Sequence, residues 1–280
     1  MTEFNKEYVV RKANAIRRLT MDAIGGLGVG HIGGCLSLAD LLAVLYFGGH
    51  MNVDPGEPKK AGRDRLVMSK GHAGPAVYAT LAEKGFFPAE LLATLNRPGT
   101  NLPSHCDMIR TPGIDMTTGS LGQGISCAVG VAIGSRLRGD GATVFAVVGD
   151  GESQEGQVWE AAMYAGHMRL ANLIAFTDYN RMQIDGTTDE VNGLDNLVAK
   201  WAAFGWNALN VRDGNDVEEI HRAIVSARES RDMPSMIVLN TVKGKGVSWV
   251  ESAGCGCHNM PVTPEQYREA LAELAAGGDC

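Results

Sequence analysis

Apolar side chains recur at Val9, Ala13, Ile16, Leu19 and Ala23, a helical spacing that predicts a helix over 6–24, with Gly25-Gly26 ending it. Ser37 is placed to cap a second helix over 38–47, with Asp40 in its first turn. Residues 63–69 read as a short strand with charged flanks, and 73–84 as a helix stopped by Gly85. Pro88 opens another short helix to about residue 95, and 98–112 is a loop rich in Pro, Gly and Asn. The second half alternates more clearly. Helices are predicted over 122–137, 157–168, 194–204 and 216–228, and Thr263 caps a last one. Between them, 143–148, 172–177 and 235–239 are continuous apolar runs, the mark of strands buried on two faces, and 206–211 is a further strand. Such βαβαβ alternation predicts an α/β fold, a doubly wound, mostly parallel sheet with helices on both faces, and one domain over 1–280. Sheets of this kind take ligands beyond the carboxyl ends of their strands, which points to the residues after Val148, Thr177 and Leu239.

Composition narrows the class. Hydrophobic residues make up 45% of the 280 positions and charged residues 20%, which excludes a disordered chain. The net charge of −7 gives no basic face for nucleic acid. No apolar run reaches the ~18 residues of a membrane helix, and the polar start lacks a signal-peptide core. A cytoplasmic protein with no nucleic-acid or membrane partner is expected. The six cysteines, Cys35, Cys106, Cys127, Cys255, Cys257 and Cys280, are scattered and read as reduced thiols. Cys255-Gly256-Cys257 has no second pair to complete a zinc site.

Two glycine motifs call for chemistry. Gly28-Val29-Gly30-His31-Ile32-Gly33 spells the dinucleotide fingerprint, but helical periodicity precedes it and 51–55 is a loop, so a nicotinamide site is not supported there. Gly149-Asp150-Gly151 instead follows a buried strand, and Asp178-Tyr179-Asn180 follows the next one. Asp150 and Asn180 at the tips of adjacent parallel strands can face one another. A carboxylate, an amide oxygen and a backbone carbonyl are hard donors suited to Mg²⁺ or Ca²⁺, with diphosphate oxygens and water completing the shell. Four of the seven histidines, His31, His72, His105 and His258, follow Gly, Ser or Cys in loops. Imidazoles gathered in a crevice can move protons near neutral pH.

The Gly149-Asp150-Gly151…Asn180 spacing resembles the diphosphate-binding motif of thiamine diphosphate enzymes, and the surroundings resemble the transketolase family over nearly the whole chain. The matching stretches are Gly30-His31-Ile32-Gly33-Gly34, Arg63-Asp64-Arg65 through Gly71-His72, Leu102-Pro103-Ser104-His105, and Thr117-Thr118-Gly119-Ser120-Leu121-Gly122-Gln123-Gly124. The resemblance implies that Asp150, Asn180 and the Met182 carbonyl hold Mg²⁺, with Ca²⁺ or Mn²⁺ able to substitute. Gly151 would offer its N–H to the diphosphate. Gly119, Ser120 and Leu121 would hold the aminopyrimidine end of thiamine diphosphate, and Ile184 would pack under the thiazolium. His31, His72, His105 and His258 would be the catalytic histidines, with His72 and His258 also touching the cofactor. Glu155 and Glu160 would lie at the cofactor-side interface and relay contacts to a partner, Lys243 and Lys245 would sit near phosphate or substrate, and Glu155 and Lys243 would be among the cofactor-binding residues. Two positions depart from the family: Ile32 stands in place of a proline, and Cys257-His258-Asn259 in place of Trp-His-Gly.

The resemblance further implies an activity: transfer of a two-carbon ketol unit from a ketose phosphate to an aldose phosphate, within the pentose phosphate pathway. Single-chain members of the family are more than twice as long and add a pyrimidine-binding and a C-terminal domain. The expectation is therefore an N-terminal subunit of a split transketolase, active in a heterotetramer with a separate C-terminal subunit of about 300 residues, two domains' worth. A related enzyme acting on an unusual sugar or sulfosugar phosphate, or a non-catalytic regulatory subunit, are the alternatives.

Overall fold

The computed structural model describes residues 4–277, so Cys280 lies outside the described residues. Five strands form one parallel sheet: β1 (Arg65–Met68), β2 (Val144–Gly149), β3 (Leu173–Tyr179), β4 (Asn207–Val211) and β5 (Ser235–Asn240). Their order is β1-β2-β3-β5-β4, and every neighbouring pair is parallel. The helices are α1 (Lys6–Leu27), α2 (Ile32–Leu36), α3 (Ala39–Phe47), α4 (Gly74–Lys84), α5 (Gln123–Arg138), α6 (Gly156–His167), α7 (Thr188–Asn192), α8 (Leu197–Ala203), α9 (Val217–Glu229), α10 (Ser248–Ser252) and α11 (Pro264–Ala276).

The continuous apolar runs of β2 and β3 are explained by two cores. Alternate side chains point to opposite faces of a strand. Phe145, Val147, Ile174 and Phe176 enter a core with residues of α1, α3, α4 and α9. Val144, Ala146, Val148 and Ala175 enter a second core with residues of α5, α6 and α8. In the second core Trp201 is fully buried between Trp159 and Trp206, at ring-centroid distances of 5.1 and 4.9 Å. Trp201→Ala is expected to cost about 3–5 kcal/mol by leaving a cavity. Its indole N–H has no partner, so Trp201→Phe should be much milder. Denaturant unfolding of the two variants checks the ranking, and equal losses would contradict it.

Several local expectations change. The first helix does not stop at Gly25-Gly26; it runs to Leu27 and ends at Gly28, which takes the left-handed φ of 84°. Gly25 serves packing instead, since a Cβ there would lie 2.4 Å from the Tyr267 ring of α11. Gly28 is thus a helix C-cap, and the two-residue strand after it, Val29–Gly30, pairs antiparallel with Met260–Pro261 outside the parallel sheet, so the run is not the strand-to-helix turn of a dinucleotide fold. Ser37 does not cap α3, which starts at Ala39 with Leu38 at its N-cap; it closes the end of α2 through its backbone N–H, and its hydroxyl donates to Asp178 Oδ2. The segment after Pro88 is a 3₁₀ stretch, Ala89–Thr94. The helix expected from 194 starts at Leu197, where the Asn196 side chain accepts from the Ala199 N–H. Helix α7 was not anticipated, although Thr187 and Glu190 form a capping box there. Thr263 caps α11 as predicted, in a second capping box with Gln266.

Candidate active site

The carboxyl edge of the sheet gathers four strand exits. After β1 come Ser69-Lys70-Gly71-His72, after β2 Asp150-Gly151, after β3 Asn180, and after β5 Thr241 to Lys243. Parallel register places Gly149 opposite Asp178, and Asp178 opposite Leu239. The exits enclose a cavity of about 220 Å³ lined by Lys70, His72, Asp150, Asn180, Lys243 and His258, among others. A larger open groove of about 980 Å³ lies between 57–65 and 108–115, away from these groups.

Asp150 is buried. Its Oδ1 accepts the Gly151 N–H at 2.8 Å, and its Oδ2 accepts the Arg181 N–H. Burial, and then the nearby Asp178 carboxylate, push its pKa up to about 6. Asn180 turns its amide nitrogen to Asp178 Oδ2 at 3.1 Å, and its oxygen accepts the Met182 N–H at 3.1 Å. The Met182 carbonyl accepts from Lys243 Nζ at 2.9 Å, and Lys243 Nζ stands 3.4 Å from His258 Nδ1. A carbonyl oxygen has two lone pairs, so that contact leaves an acceptor site.

The donor chemistry fits a hard divalent cation, with one carboxylate, one amide oxygen and one carbonyl, three oxygens and no sulfur. Phosphate oxygens fit the same cavity, because the buried cations Lys70 and Lys243 line it. The buried Gln183 Oε1, also on its wall, has no partner. A Cβ at Gly151 would come within 3.2 Å of Gln183 Cβ, so a side chain there would narrow the cleft. The Gly151 N–H, expected to face a diphosphate, donates to Asp150 Oδ1 at 2.8 Å.

The four histidines come together. The His31 ring centroid lies 5.2 Å from His72, 5.7 Å from His105 and 5.4 Å from His258, and His72 lies 5.0 Å from His258. Tyr78 steadies one of them, its hydroxyl donating to the His105 carbonyl at 2.8 Å. Burial lowers the pKa of all four, with Lys243 and then His31 adding to the effect at His258, whose value falls to about 4. Lowered in this way, the four imidazoles rest neutral at neutral pH, each ring able to donate at one nitrogen and accept at the other, and a proton taken up by one is readily given back.

The remaining sequence candidates divide. Leu121, Glu155 and Ile184 line the cavity. Gly119 stands against His105, where an added Cβ would meet Cδ2 at 3.2 Å. Ser120 and Glu160 are exposed. Lys245 is not on the cavity wall, and its carbonyl accepts from Arg17 Nε at 2.9 Å. Three groups were missed. Lys70 and Asp178 form a buried ion pair. Asp178 also accepts from Ser37 Oγ at 2.7 Å and from Thr241 Oγ1. Burial alone would raise its pKa, but the Lys70 ammonium and these hydroxyls hold it below the usual carboxylate range. Glu152 is buried too, accepting from Ser69 Oγ, the Gly122 N–H and the Gly149 N–H, and so ties three loops together. The available signal was a charged residue beside an apolar strand: Lys70 just after β1, and Asp178 within β3.

The histidines also set an acid limit. His50, paired with His221 at 2.8 Å, is lowered to about 4 by burial first, then by His221 and Arg228. A histidine whose folded pKa lies below its unfolded 6.5 takes up protons more readily when unfolded. Its contribution is therefore complete above pH 6.5 and is lost as pH falls toward 4. The thermal midpoint is expected to drop by about 5–10 °C over that window. A flat profile between pH 6.5 and 4 would count against the neutral cluster.

The chain matches the family described as "Transketolase, thiamine diphosphate binding domain" over residues 9–275. It is 57% identical over 267 residues to a protein named 6-deoxy-6-sulfo-D-fructose transketolase subunit SqwG from Clostridium sp. (strain MSTE9), covering 95% of this chain and 96% of that one. It is 41% identical to an apulose-4-phosphate transketolase subunit of Phocaeicola vulgatus (strain ATCC 8482), covering 92% and 91%. Among solved structures, transketolase from Leishmania mexicana superposes with a TM-score of 0.89 at 32% identity, covering 97% of this chain and 41% of that one.

Proposed function

Since the chain belongs to the transketolase thiamine diphosphate-binding family, we propose that it is the cofactor-binding subunit of a two-subunit transketolase, moving a two-carbon ketol unit between sugars. The observation that carries this reading is the convergence of Asp150, Asn180 and the Met182 carbonyl at two adjacent strand exits, beside four clustered imidazoles. Asp150, Asn180 and Met182 would hold Mg²⁺, and Lys70, Lys243 and His72 would face the diphosphate. When bound, thiamine diphosphate supplies a heterocycle that stabilises a carbanion next to a former carbonyl. This chain's part is to orient and to move protons. Neutral His31, His72, His105 and His258 would accept hydrogen bonds from sugar hydroxyls, take a proton as a hydroxyl becomes a carbonyl, and return it as a carbonyl becomes a hydroxyl. The four rings are half-buried, and closure by the partner subunit would keep bulk water from those transfers.

A separate partner subunit is supported by the subunit names of relatives that this chain covers almost end to end. A heterotetramer with two active sites at subunit boundaries is part of the proposal. The donor assigned from the sequence is a ketose phosphate. The 57% identity to a 6-deoxy-6-sulfo-D-fructose transketolase subunit favours a second reading, a ketose ending in a sulfonate. The two ends differ chemically: a sulfonate stays a monoanion where a phosphate monoester becomes a dianion. Among the described residues, no helix is long and apolar enough to cross a membrane. Initial rates with each donor, for this chain recombined with its partner subunit, thiamine diphosphate and Mg²⁺, test the function and choose the donor. No ketol transfer to any aldose acceptor would overturn it.

A further inference from the structure

We propose that Asp178 is a positioning residue that makes Asn180 present its oxygen, not its nitrogen, to the metal; this rests on the metal assignment made above. An amide has nearly the same shape either way round, yet only its oxygen can bind a cation. An ionised carboxylate is acceptor-only and can face only the NH₂ end of that amide. Asp178 Oδ2 sits 3.1 Å from Asn180 Nδ2. A flipped amide would set its oxygen against that of the fully buried Asp178 carboxylate. Residues two apart on extended chain share a face, which is why Asp178-Tyr179-Asn180 can make this contact at the exit of β3.

Asp178 is itself unable to turn. It is fully buried and accepts from donors on three other segments: Ser37 between α2 and α3, Lys70 after β1, and Thr241 after β5. The amide oxygen is thereby directed away from Asp178, onto the Met182 N–H and the cavity. Outer-shell groups that orient a ligand usually change metal affinity by about 10- to 100-fold.

The test is Mn²⁺ binding to the complex of this chain and its partner subunit with thiamine diphosphate, read from the electron paramagnetic resonance signal of the free ion. Asp178→Asn should weaken binding by about 10- to 100-fold, because a single uncharged oxygen then has to serve Lys70, Ser37 and Asn180 together and holds the Asn180 amide less firmly. The exchange Asp178→Asn with Asn180→Asp should bring binding back to within about threefold. In it the carboxylate at 180 shows oxygen whichever way it turns and so needs no orienting neighbour, and the charge count is unchanged. A single variant that binds like the wild type, or a folded exchange variant that stays weak, overturns the proposal. If the single variant does not fold, the exchange variant alone decides. A wild-type complex that takes no Mn²⁺ sinks the metal assignment instead.

Discussion

Asp150→Ala should lower the Mg²⁺-dependent binding of thiamine diphosphate by roughly 100-fold or more, with the melting temperature of the free protein almost unchanged. Asp150 carries the one charge among the three oxygens assigned to the metal. Changes in groups behind a metal ligand already cost 10- to 100-fold, so loss of the charged ligand should cost at least that. The stability side has its own sign. Burial and Asp178 raise the pKa of Asp150 to about 6, above the ordinary carboxylate value. The carboxyl therefore favours folding when protonated and opposes it as pH rises through 6. At pH 7 its removal relieves that cost while orphaning the Gly151 and Arg181 N–H groups, and the two effects offset. Calorimetric titration with and without Mg²⁺, paired with thermal melting, separates ligand loss from misfolding. Cofactor binding that persists in the variant would remove Asp150 from the metal site.

Turnover by the purified chain with thiamine diphosphate and Mg²⁺ should be indistinguishable from background, and addition of the partner subunit should bring it to about 1–10³ s⁻¹, as for ordinary enzymes. The reason is geometric. Sites that enclose a drug-sized ligand have volumes of about 300–1,000 Å³ and cover most of its surface. The cavity here is about 220 Å³ and has Ile184 on its rim with 68% of its surface exposed. It suits a metal and a diphosphate tail but leaves the rest of a cofactor uncovered. Until a second protein closes over that rim, water reaches the reacting carbon and the neutral imidazoles lose their dry surroundings. The measurement is ketol transfer by each of the two proteins separately and by the pair, with phosphate-ended and sulfonate-ended donors. Full turnover by this chain alone would end the split-enzyme reading.

Local sequence was enough to determine the layer architecture and the strand exits that form the site. The apolar runs ending at Val148 and Thr177 had to be buried on two faces, which requires parallel strands with helices on each side. The motif residues Asp150 and Asn180 lie immediately beyond those strands, so their meeting follows from pairing neighbours. His31, His72, His105 and His258 were legible as loop residues next to Gly, Ser or Cys, each a candidate without a known neighbour. Tertiary structure alone decided what these groups experience. Ser37 looked like a helix cap because capping is a local preference, yet its hydroxyl serves Asp178, 141 residues away in the chain. Gly25 looked like a stop because glycine weakens helices, yet it makes room for Tyr267. Lys70 and Asp178 stood beside apolar strands, but their pairing was not legible: a buried charge is tolerable only with its partner, and that partner is 108 residues distant. The lowered pKa values of the histidines have the same origin: desolvation depends on everything packed around a ring, whereas spacing along a chain records only what comes next.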